Sequence, residues 1–278
     1  MKNLRECIAE ARQKKVAIGH FNVSDSNQVW AIFKAAQSLN VPVIIGVSEG
    51  ERDFIGVKQA VALIKSFDYP IFINADHTYS FEKVKEAVDA GFDSVIFDGA
   101  QLSFEENVKI ARQCVEYASG RAIVEGELGF IGKGSEIHDE IPANLSALTD
   151  PEEAKRFVEQ TGVDMLAPAL GNFHGMVKGN TEAKKLNPER VKEISEITKV
   201  PIVLHGGSGD SEEMLKEVIA NGVTIVHINT EIRVAYKQGI MQGISENPEE
   251  VAPYKFLKPA VQAVQELVEK KLRIFNNL

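Results

Sequence analysis

Histidines near the ends of predicted strands are the first chemical signal in this chain of 278 residues. Five of the six lie on or just beyond short apolar runs that read as strands: His20, His77, His174, His205 and His227. Three neutral imidazoles with one open position form a ligand set of catalytic zinc. Because His77, His174 and His205 follow three different predicted strands, we expect them to converge on one zinc ion. Each could instead satisfy a backbone carbonyl as an ordinary core or surface histidine.

Asp76 immediately precedes His77, so we expect the two side chains to diverge at the strand end. One of them can then bind metal while the other faces a substrate. A carboxylate beside a dication keeps a low pKa, which suits a base that accepts a proton from a substrate hydroxyl. Alternatively, Asp76 caps the following helix or orients a metal ligand. Glu127 ends another predicted strand, where it could be an alternate metal ligand, a supporting acid or an ion-pair partner.

Two turns have the composition of phosphate-binding sites. Residues 206–209 follow a strand and precede a helix, and their glycines let backbone N–H groups approach an anion closely. Residues 229–231 open a helix after the last predicted strand. The alternative for the first turn is a tight strand-to-helix connection without a ligand. Since His205 adjoins Gly206, the substrate should carry a coordinating oxygen only a few bonds from a phosphate ester.

Eight short apolar runs alternate with longer amphipathic segments from residue 16 onward. The runs are apolar on both faces, as are the strands of a parallel sheet covered by helices. Eight βα units without a linker predict an α/β fold, a single-domain (β/α)8 TIM barrel over residues 1–278, with an open doubly wound sheet as the alternative. The predicted strands are residues 16–23, 41–47, 70–75, 94–97, 122–127, 164–169, 201–204 and 223–228. The predicted helices include residues 27–38, 54–66, 81–89, 104–117, 151–160 and 188–197.

Two of the predicted connections are unusually long. Residues 126–150 and 171–187 are rich in glycine and charge, and long glycine-rich loops over an active face commonly act as lids. Residues 251–275 predict additional C-terminal helix, suited to closing the barrel or to meeting a partner subunit.

The composition argues against several functional classes. A net charge of −9 disfavours nucleic acid or a membrane surface as the main partner. Contents of 44% hydrophobic and 26% charged residues are typical of a soluble globular protein with a sizeable core. Cys7 and Cys114 lie in helical patterns without metal-site spacing, which favours a reducing, cytoplasmic environment. The charged N-terminal segment lacks an apolar region of the secretory type, and no apolar run approaches the roughly 20 residues that span a bilayer.

A series of segments resembles the class II, metal-dependent fructose/tagatose-bisphosphate aldolases. The segments extend over nearly the whole chain, and together, in this order, they are highly specific although each alone is weak. They are Gly19-His-Phe-Asn-Val23, Asn74-Ala-Asp-His-Thr78, Ser94-Val-Ile-Phe-Asp-Gly99 with Phe104-Glu-Glu-Asn107, Val124-Glu-Gly-Glu-Leu-Gly129, Ala169-Leu-Gly-Asn-Phe-His-Gly175, Val203-Leu-His-Gly-Gly-Ser-Gly209 and Ile228-Asn-Thr-Glu-Ile-Arg233.

The resemblance implies roles for individual residues. Asp76 would be the catalytic acid/base, and Glu127 would meet the metal in an alternate position. The zinc ligands would be His77, His174 and His205. Substrate and phosphate would be bound by Asn22, Gly175, Lys178, Gly206, Ser208, His227, Asn229 and Thr230. Gly175, Gly206 and Ser208 also match the neighbourhood of a monovalent cation, Na+ or K+, whereas Lys178 could equally be a solvated lysine.

The implied reaction is the reversible cleavage of a ketose bisphosphate, with fructose 1,6-bisphosphate first, to dihydroxyacetone phosphate and glyceraldehyde 3-phosphate. Zinc would polarise the ketone while Asp76 removes the proton of the C4 hydroxyl, and no lysine Schiff base is needed. Tagatose bisphosphate or another ketose phosphate is an alternative substrate. A metal- or phosphate-binding barrel without turnover is the alternative of another class. Family habit implies a homodimer or homotetramer.

Departures from the family pattern leave the choice of sugar open. His227 stands where asparagine is usual, Asn229 where aspartate or alanine is common, and Thr78 where glycine is common. The mobile loop of the family usually offers an acid at or near Ser135, and here the closest acid is Glu136. The arginine that a neighbouring subunit usually lends to the distal phosphate is not evident near the C-terminus.

Overall fold

Eight parallel strands close into a barrel in the computed structural model, which describes residues 2–143, 145–180 and 183–278. Within those residues the strands are β1 (Ile18–Asn22), β2 (Val43–Ser48), β3 (Ile71–Thr78), β4 (Ser94–Phe97), β5 (Ile123–Leu128), β6 (Ile137–His138), β7 (Met165–Pro168), β8 (Met176–Val177), β9 (Ile202–Leu204) and β10 (Val223–Ile228). The order around the barrel is β1-β10-β9-β7-β5-β4-β3-β2. Because β1 pairs with β10, the sheet closes on itself. The predicted (β/α)8 barrel is confirmed, and the open-sheet alternative is wrong.

Helices precede, separate and follow the strands of the barrel. In the described residues they are α1 (Leu4–Lys14), α2 (Ser26–Leu39), α3 (Glu49–Ile55), α4 (Val57–Lys65), α5 (Phe81–Ala90), α6 (Phe104–Ala118), α7 (Pro151–Thr161), α8 (Pro188–Thr198), α9 (Glu212–Ala220), α10 (Thr230–Glu246), α11 (Pro253–Phe256) and α12 (Lys258–Asn276). None of these combines the length and apolar character needed to cross a membrane. The predicted C-terminal helical segment forms α11 and α12.

The helix predicted over residues 54–66 corresponds to α4, but its first residues belong to a separate helix, α3, which was not predicted. Gly56 separates α3 from α4 and has φ of +94°, a region that side chains disfavour and glycine tolerates. α3 buries two charged residues, Glu51 and Arg52, whereas α4 buries Ala60 and Ile64. Apolar periodicity alone therefore could not reveal α3.

Side-chain caps set where several helices begin. The Ser80 hydroxyl accepts a hydrogen bond from the Lys83 N–H at the start of α5. Asp150 caps α7 in the same way, and Pro151 supplies its first helical residue. Since Ser80 caps the helix after β3, the interpretation of Asp76 as that cap is wrong.

The two long connections pair with each other. β6 lies in the first and β8 in the second, and they form a parallel ribbon in which Ile137 pairs with Met176 and His138 with Val177. His138 Nε2 also lies 2.9 Å from the carbonyl oxygen of His174. The ribbon therefore ties both loops together at the C-terminal end of the barrel.

Apolar side chains close the opposite, N-terminal end of the barrel. From α1, the residues Leu4, Cys7, Ile8 and Ala11 recur every three or four positions and are buried there. They form one cluster with strand residues Ile18, Ile44, Phe72, Ile123, Met165, Ala167, Val203 and Ile225. This end of the barrel interior is therefore packed with apolar side chains.

Candidate active site

Three histidines meet at the C-terminal mouth of the barrel. One nitrogen from each of His77, His174 and His205 lies within 4.8 Å of the other two. The ring centroid of His77 is 4.7 Å from that of His174 and 4.9 Å from that of His205. His205 Nδ1 is buried and has no hydrogen-bond partner among the described residues. Because converging imidazoles with an unpaired buried nitrogen are the donor set of a divalent metal, these residues fit such an ion.

Carboxylates hold one nitrogen in each of two of these rings, those of His77 and His205. Asp98 Oδ2 lies 2.9 Å from His77 Nδ1, and Glu125 Oε1 lies 2.7 Å from His205 Nε2. Each fixes one nitrogen as the donor and leaves the second nitrogen for a ligand, as is common around protein-bound metals. Sequence reasoning missed both carboxylates. The alternation of side chains along β5 could have identified Glu125, because it lies on the same face as Glu127.

The backbone bends at His77. Its φ is +41°, in the left-handed region that non-glycine residues rarely occupy, and the register between β3 and β4 shifts between Ala75 and Thr78. The predicted divergence of the neighbouring side chains is not observed, because Asp76 Oδ1 lies only 3.9 Å from His77 Nε2. Two consecutive residues thereby face one cleft, and such local strain is typical of functional sites.

Asp76 is buried and has one uncommitted oxygen. Its Oδ2 accepts a hydrogen bond of 2.8 Å from Asn22 Nδ2. Its Oδ1 has no hydrogen-bond partner within the described ranges and lies 3.6 Å from His227 Nδ1. Burial tends to raise the pKa of Asp76, but the nearby imidazoles of His77 and His227 hold that pKa well below its usual value. Asp76 is therefore an ionised carboxylate with an oxygen available to accept a proton.

Glu127, on β5, lies close to both His77 and His205. Its Oε2 is buried, lacks a hydrogen-bond partner among the described residues, and lies 3.5 Å from His77 Nδ1 and 3.6 Å from His205 Nδ1. Burial raises the pKa of Glu127 to about 8, and the negative charge of Asp98 adds to this rise. Its carboxyl would ionise more readily beside a cation. This position is compatible with all three interpretations of Glu127, as an alternate ligand, a supporting acid or an ion-pair partner of the histidines.

His227 lies in a stack of imidazoles. Its ring centroid is 3.5 Å from that of His20, with 3° between the planes, and 4.2 Å from that of His205. Gly46 leaves the space for His20, since a Cβ there would lie 2.1 Å from His20 Cε1. Burial and the two neighbouring imidazoles hold the pKa of His227 well below its usual value. The ring is therefore neutral, with its edge toward Asp76.

The glycine-rich turn after β9 lies beside these histidines, as predicted. Gly206 has φ of +65°, and a Cβ there would lie 2.3 Å from the Phe173 carbonyl oxygen, so larger residues do not fit. The Ser208 hydroxyl accepts hydrogen bonds from the N–H groups of Asn229, at 3.2 Å, and Glu231, at 3.4 Å. The two turns predicted for phosphate are thus joined at the start of α10.

The cleft has an inner recess and an outer part. Both are lined by Asp76, His77, Ser135, His174 and Asn229. The inner recess adds Asn22, Gly175, Gly206, Ser208, His227 and Thr230. The outer part, about 210 Å³ in volume, adds two cationic side chains, Lys133 and Arg233. A ligand that extends from the glycine-rich turn to these cations would pass Asp76.

Lys178 and Glu136 lie outside this cleft. Both are exposed, and neither lines the inner recess or the outer part. A different lysine, Lys184, is buried and donates a hydrogen bond to the carbonyl oxygen of Gly206. Sequence reasoning missed Lys184, because nothing in the local pattern distinguishes it from the exposed Lys185.

Residues 2–278 match the family model described as fructose-bisphosphate aldolase class-II. The fructose-bisphosphate aldolase of Staphylococcus epidermidis is 38% identical to this chain, over 98% of the chain and 96% of the relative. That of Geobacillus stearothermophilus is also 38% identical, over 99% and 96%. Among solved structures, the YdjI aldolase from Escherichia coli K12 matches with a TM-score of 0.80 and 29% identity, and covers 99% of this chain and 96% of that one. Each likeness extends over nearly the full length of both proteins.

Proposed function

Since the chain belongs to the class II fructose-bisphosphate aldolase family, a family of lyases, we propose that it reversibly cleaves fructose 1,6-bisphosphate. The products would be dihydroxyacetone phosphate and glyceraldehyde 3-phosphate. The convergence of His77, His174 and His205 beside Asp76, whose Oδ1 has no hydrogen-bond partner among the described residues, is the observation that carries this proposal. A barrel without turnover has less support, because Asp76 keeps a free oxygen that ligand binding alone would not need.

We propose zinc as the metal. His77, His174 and His205 would hold it, and Glu127 would be an alternate ligand. When bound, zinc acts as a Lewis acid that polarises the ketone carbonyl and stabilises the negative charge developing on its oxygen. Asp98 and Glu125 would keep the ligating rings in orientation through the hydrogen bonds to His77 and His205.

Asp76 would accept the proton of the C4 hydroxyl as the C3–C4 bond breaks. Its Oδ1 is free for this proton, while Asn22 fixes Oδ2. Asn22 is itself held by a hydrogen bond of 3.1 Å from its Nδ2 to Glu51 Oε2, so the carboxylate is kept in one orientation. In the direction of synthesis, the same carboxyl would return the proton to the new hydroxyl.

The phosphate near the ketone would bind in the inner recess. The residues proposed to surround it are Gly175, Gly206, Ser208 and Thr230. Because the whole chain carries a net charge of −9, backbone N–H groups and the N-terminal end of α10 must supply the attraction locally. His227 and Asn229 would contact the sugar hydroxyls. The distal phosphate would lie in the outer part of the cleft, near Lys133 and Arg233.

The second candidate is an aldolase for tagatose bisphosphate or another ketose phosphate. His227 favours it, because a stacked imidazole stands where the family usually carries the smaller asparagine. The imidazole changes the shape and the hydrogen-bonding groups of the cleft beside Asp76. Substrate hydroxyls that differ in configuration would therefore meet a different surface.

A substrate panel with metal analysis on the same sample tests the proposal. The panel contains fructose 1,6-bisphosphate, tagatose 1,6-bisphosphate and fructose 1-phosphate, and cleavage is followed in a coupled assay. We expect bound zinc, loss of activity with a chelator, and the highest kcat/KM for fructose 1,6-bisphosphate. A clear preference for another ketose would support the second candidate. Absence of cleavage across the panel in a folded, metal-loaded sample would overturn the proposed function.

A further inference from the structure

Lys184 is buried against the carbonyl side of the glycine-rich turn. It is 9% exposed, and its ammonium donates hydrogen bonds to the carbonyl oxygens of Gly206 and, at 2.5 Å, Ser208. The ammonium also lies over the ring of Phe173, 5.1 Å from its centroid. Because taking an ammonium out of water is costly, a lysine is rarely buried without polar partners. Here those partners are the backbone of the turn itself.

Two peptide groups of the turn, 206–207 and 208–209, are thereby hydrogen-bonded through both the carbonyl and the N–H. The Gly207 N–H donates to a backbone carbonyl of β10 at 2.9 Å, and the Gly209 N–H donates to Glu231 Oε1 at 2.7 Å. The carbonyl and the N–H of a trans peptide point to opposite sides, so Lys184 binds the remaining side of each group. The N–H of Ser208, between them, makes no hydrogen bond among the described residues. This frame leaves that N–H without a partner in a residue that lines the inner recess.

Without Lys184, the charged groups near the turn would repel an anion. Asp210 is buried beyond the turn, and its burial raises its pKa to about 6 against the lowering effect of Lys184 and Lys271. Glu231 forms an ion pair of 2.9 Å with Lys271. Two carboxyl groups and two ammonium groups therefore balance one another. Loss of the Lys184 charge would leave an excess of negative charge next to the recess.

We propose that Lys184 is a resident cation of the phosphate site, whose ammonium holds the turn in its anion-binding form and makes a free Na+ or K+ unnecessary there. This inference rests on the proposed function, in which the inner recess binds a substrate phosphate. Lys184 is a positioning residue, because it acts through the carbonyl oxygens of Gly206 and Ser208. Both lie in residues that the family resemblance places near a monovalent cation, and Lys184 occupies their carbonyl oxygens.

The native protein provides the first test, with inorganic phosphate as the probe. Its affinity is measured by calorimetry at fixed ionic strength, with Na+, K+ or tetramethylammonium as the only monovalent cation. We expect the same affinity in all three, since the cation is part of the chain. An affinity that requires Na+ or K+ and is lost in tetramethylammonium would overturn the proposal.

Variants of Lys184 provide the second test. Lys184→Met removes the charge at similar length, Lys184→Ala also leaves a space, and Lys185→Met is the matched control because Lys185 is exposed next to it. We expect both Lys184 variants to bind phosphate about tenfold to a hundredfold more weakly, the range for losing charged hydrogen bonds. Their KM should rise more than their kcat falls. Methylammonium should restore binding to Lys184→Ala, whereas the side chain of Lys184→Met fills the space and prevents rescue.

The outcomes separate this inference from the proposed function. If the folded native protein binds no phosphate, the assignment of the recess as a phosphate site fails. If the native protein binds phosphate and the folded Lys184 variants bind it equally well, only the resident-cation proposal fails. If the neutral variants do not fold, the dependence of phosphate affinity on the monovalent cation in the native protein alone decides whether the resident-cation proposal holds.

Discussion

The two ends of this barrel are built from the same eight strands and differ in the side chains that the strands present. At the N-terminal end, α1 and the strands bury one continuous apolar cluster. At the C-terminal end, buried imidazoles and carboxylates converge, and several of their atoms have no hydrogen-bond partner among the described residues. Those atoms include His205 Nδ1, Glu127 Oε2 and Asp76 Oδ1.

The two ends therefore contribute differently to stability and to chemistry. A buried polar atom without a partner costs roughly 1–3 kcal/mol, and the left-handed backbone at His77 adds further strain. The C-terminal end is therefore organised for a bound metal and substrate, whereas the N-terminal end contributes stability through apolar burial. Substitutions at the two ends should consequently affect different measurable properties.

The largest effect is expected from His205→Ala at the C-terminal end. The substitution removes the unpaired buried Nδ1 and leaves Glu125 without its hydrogen-bonded partner. We expect loss of both bound metal and cleavage, measured by elemental analysis and the coupled assay. Full metal occupancy in this variant would contradict the proposed ligand set.

A smaller effect is expected from Asp76→Asn, which should separate metal binding from proton transfer. The amide cannot accept the proton as a carboxylate does, so kcat should fall by about 10²–10⁴-fold. Metal content should remain native, because the three histidines are untouched. Unchanged kcat at native metal content would remove Asp76 from the acid/base role.

Glu125→Gln should weaken metal binding without abolishing it. The amide keeps the size of the side chain but no longer stabilises the positive edge of His205. Loss of such a supporting partner typically lowers metal affinity about 10–100-fold. The measurement is competition with a chelator, and kcat at saturating metal serves as the control. Metal affinity equal to that of the native protein would show that the carboxylate does not orient His205.

Leu4→Ala at the N-terminal end should leave kcat unchanged. Leu4 is 4% exposed within the apolar cluster, so truncation should lower the free energy of unfolding by about 2–5 kcal/mol. Denaturant unfolding measures this loss, and kcat below the unfolding transition provides the comparison. A fall in kcat similar to that of Asp76→Asn would contradict the separation of the two ends.

Much of the fold could be predicted because its signals are local. Apolar runs and amphipathic periods identified all eight barrel strands and most of the helices between them. The separate helix before Gly56 escaped this reasoning, since the residues that α3 buries, Glu51 and Arg52, are charged. The positions of the histidines at strand ends indicated a shared site because the carboxyl ends of parallel strands meet in a barrel.

Residue types, their order and their periods along the chain determined by themselves the barrel and the candidate ligands His77, His174 and His205. Only the tertiary structure decided which groups support them. Glu125 and His205 are 80 positions apart, and Lys184 reaches the glycine-rich turn through a loop whose path has no periodic signal. A hydrogen bond depends on a few ångströms of separation and on direction, and both are set by how distant segments pack.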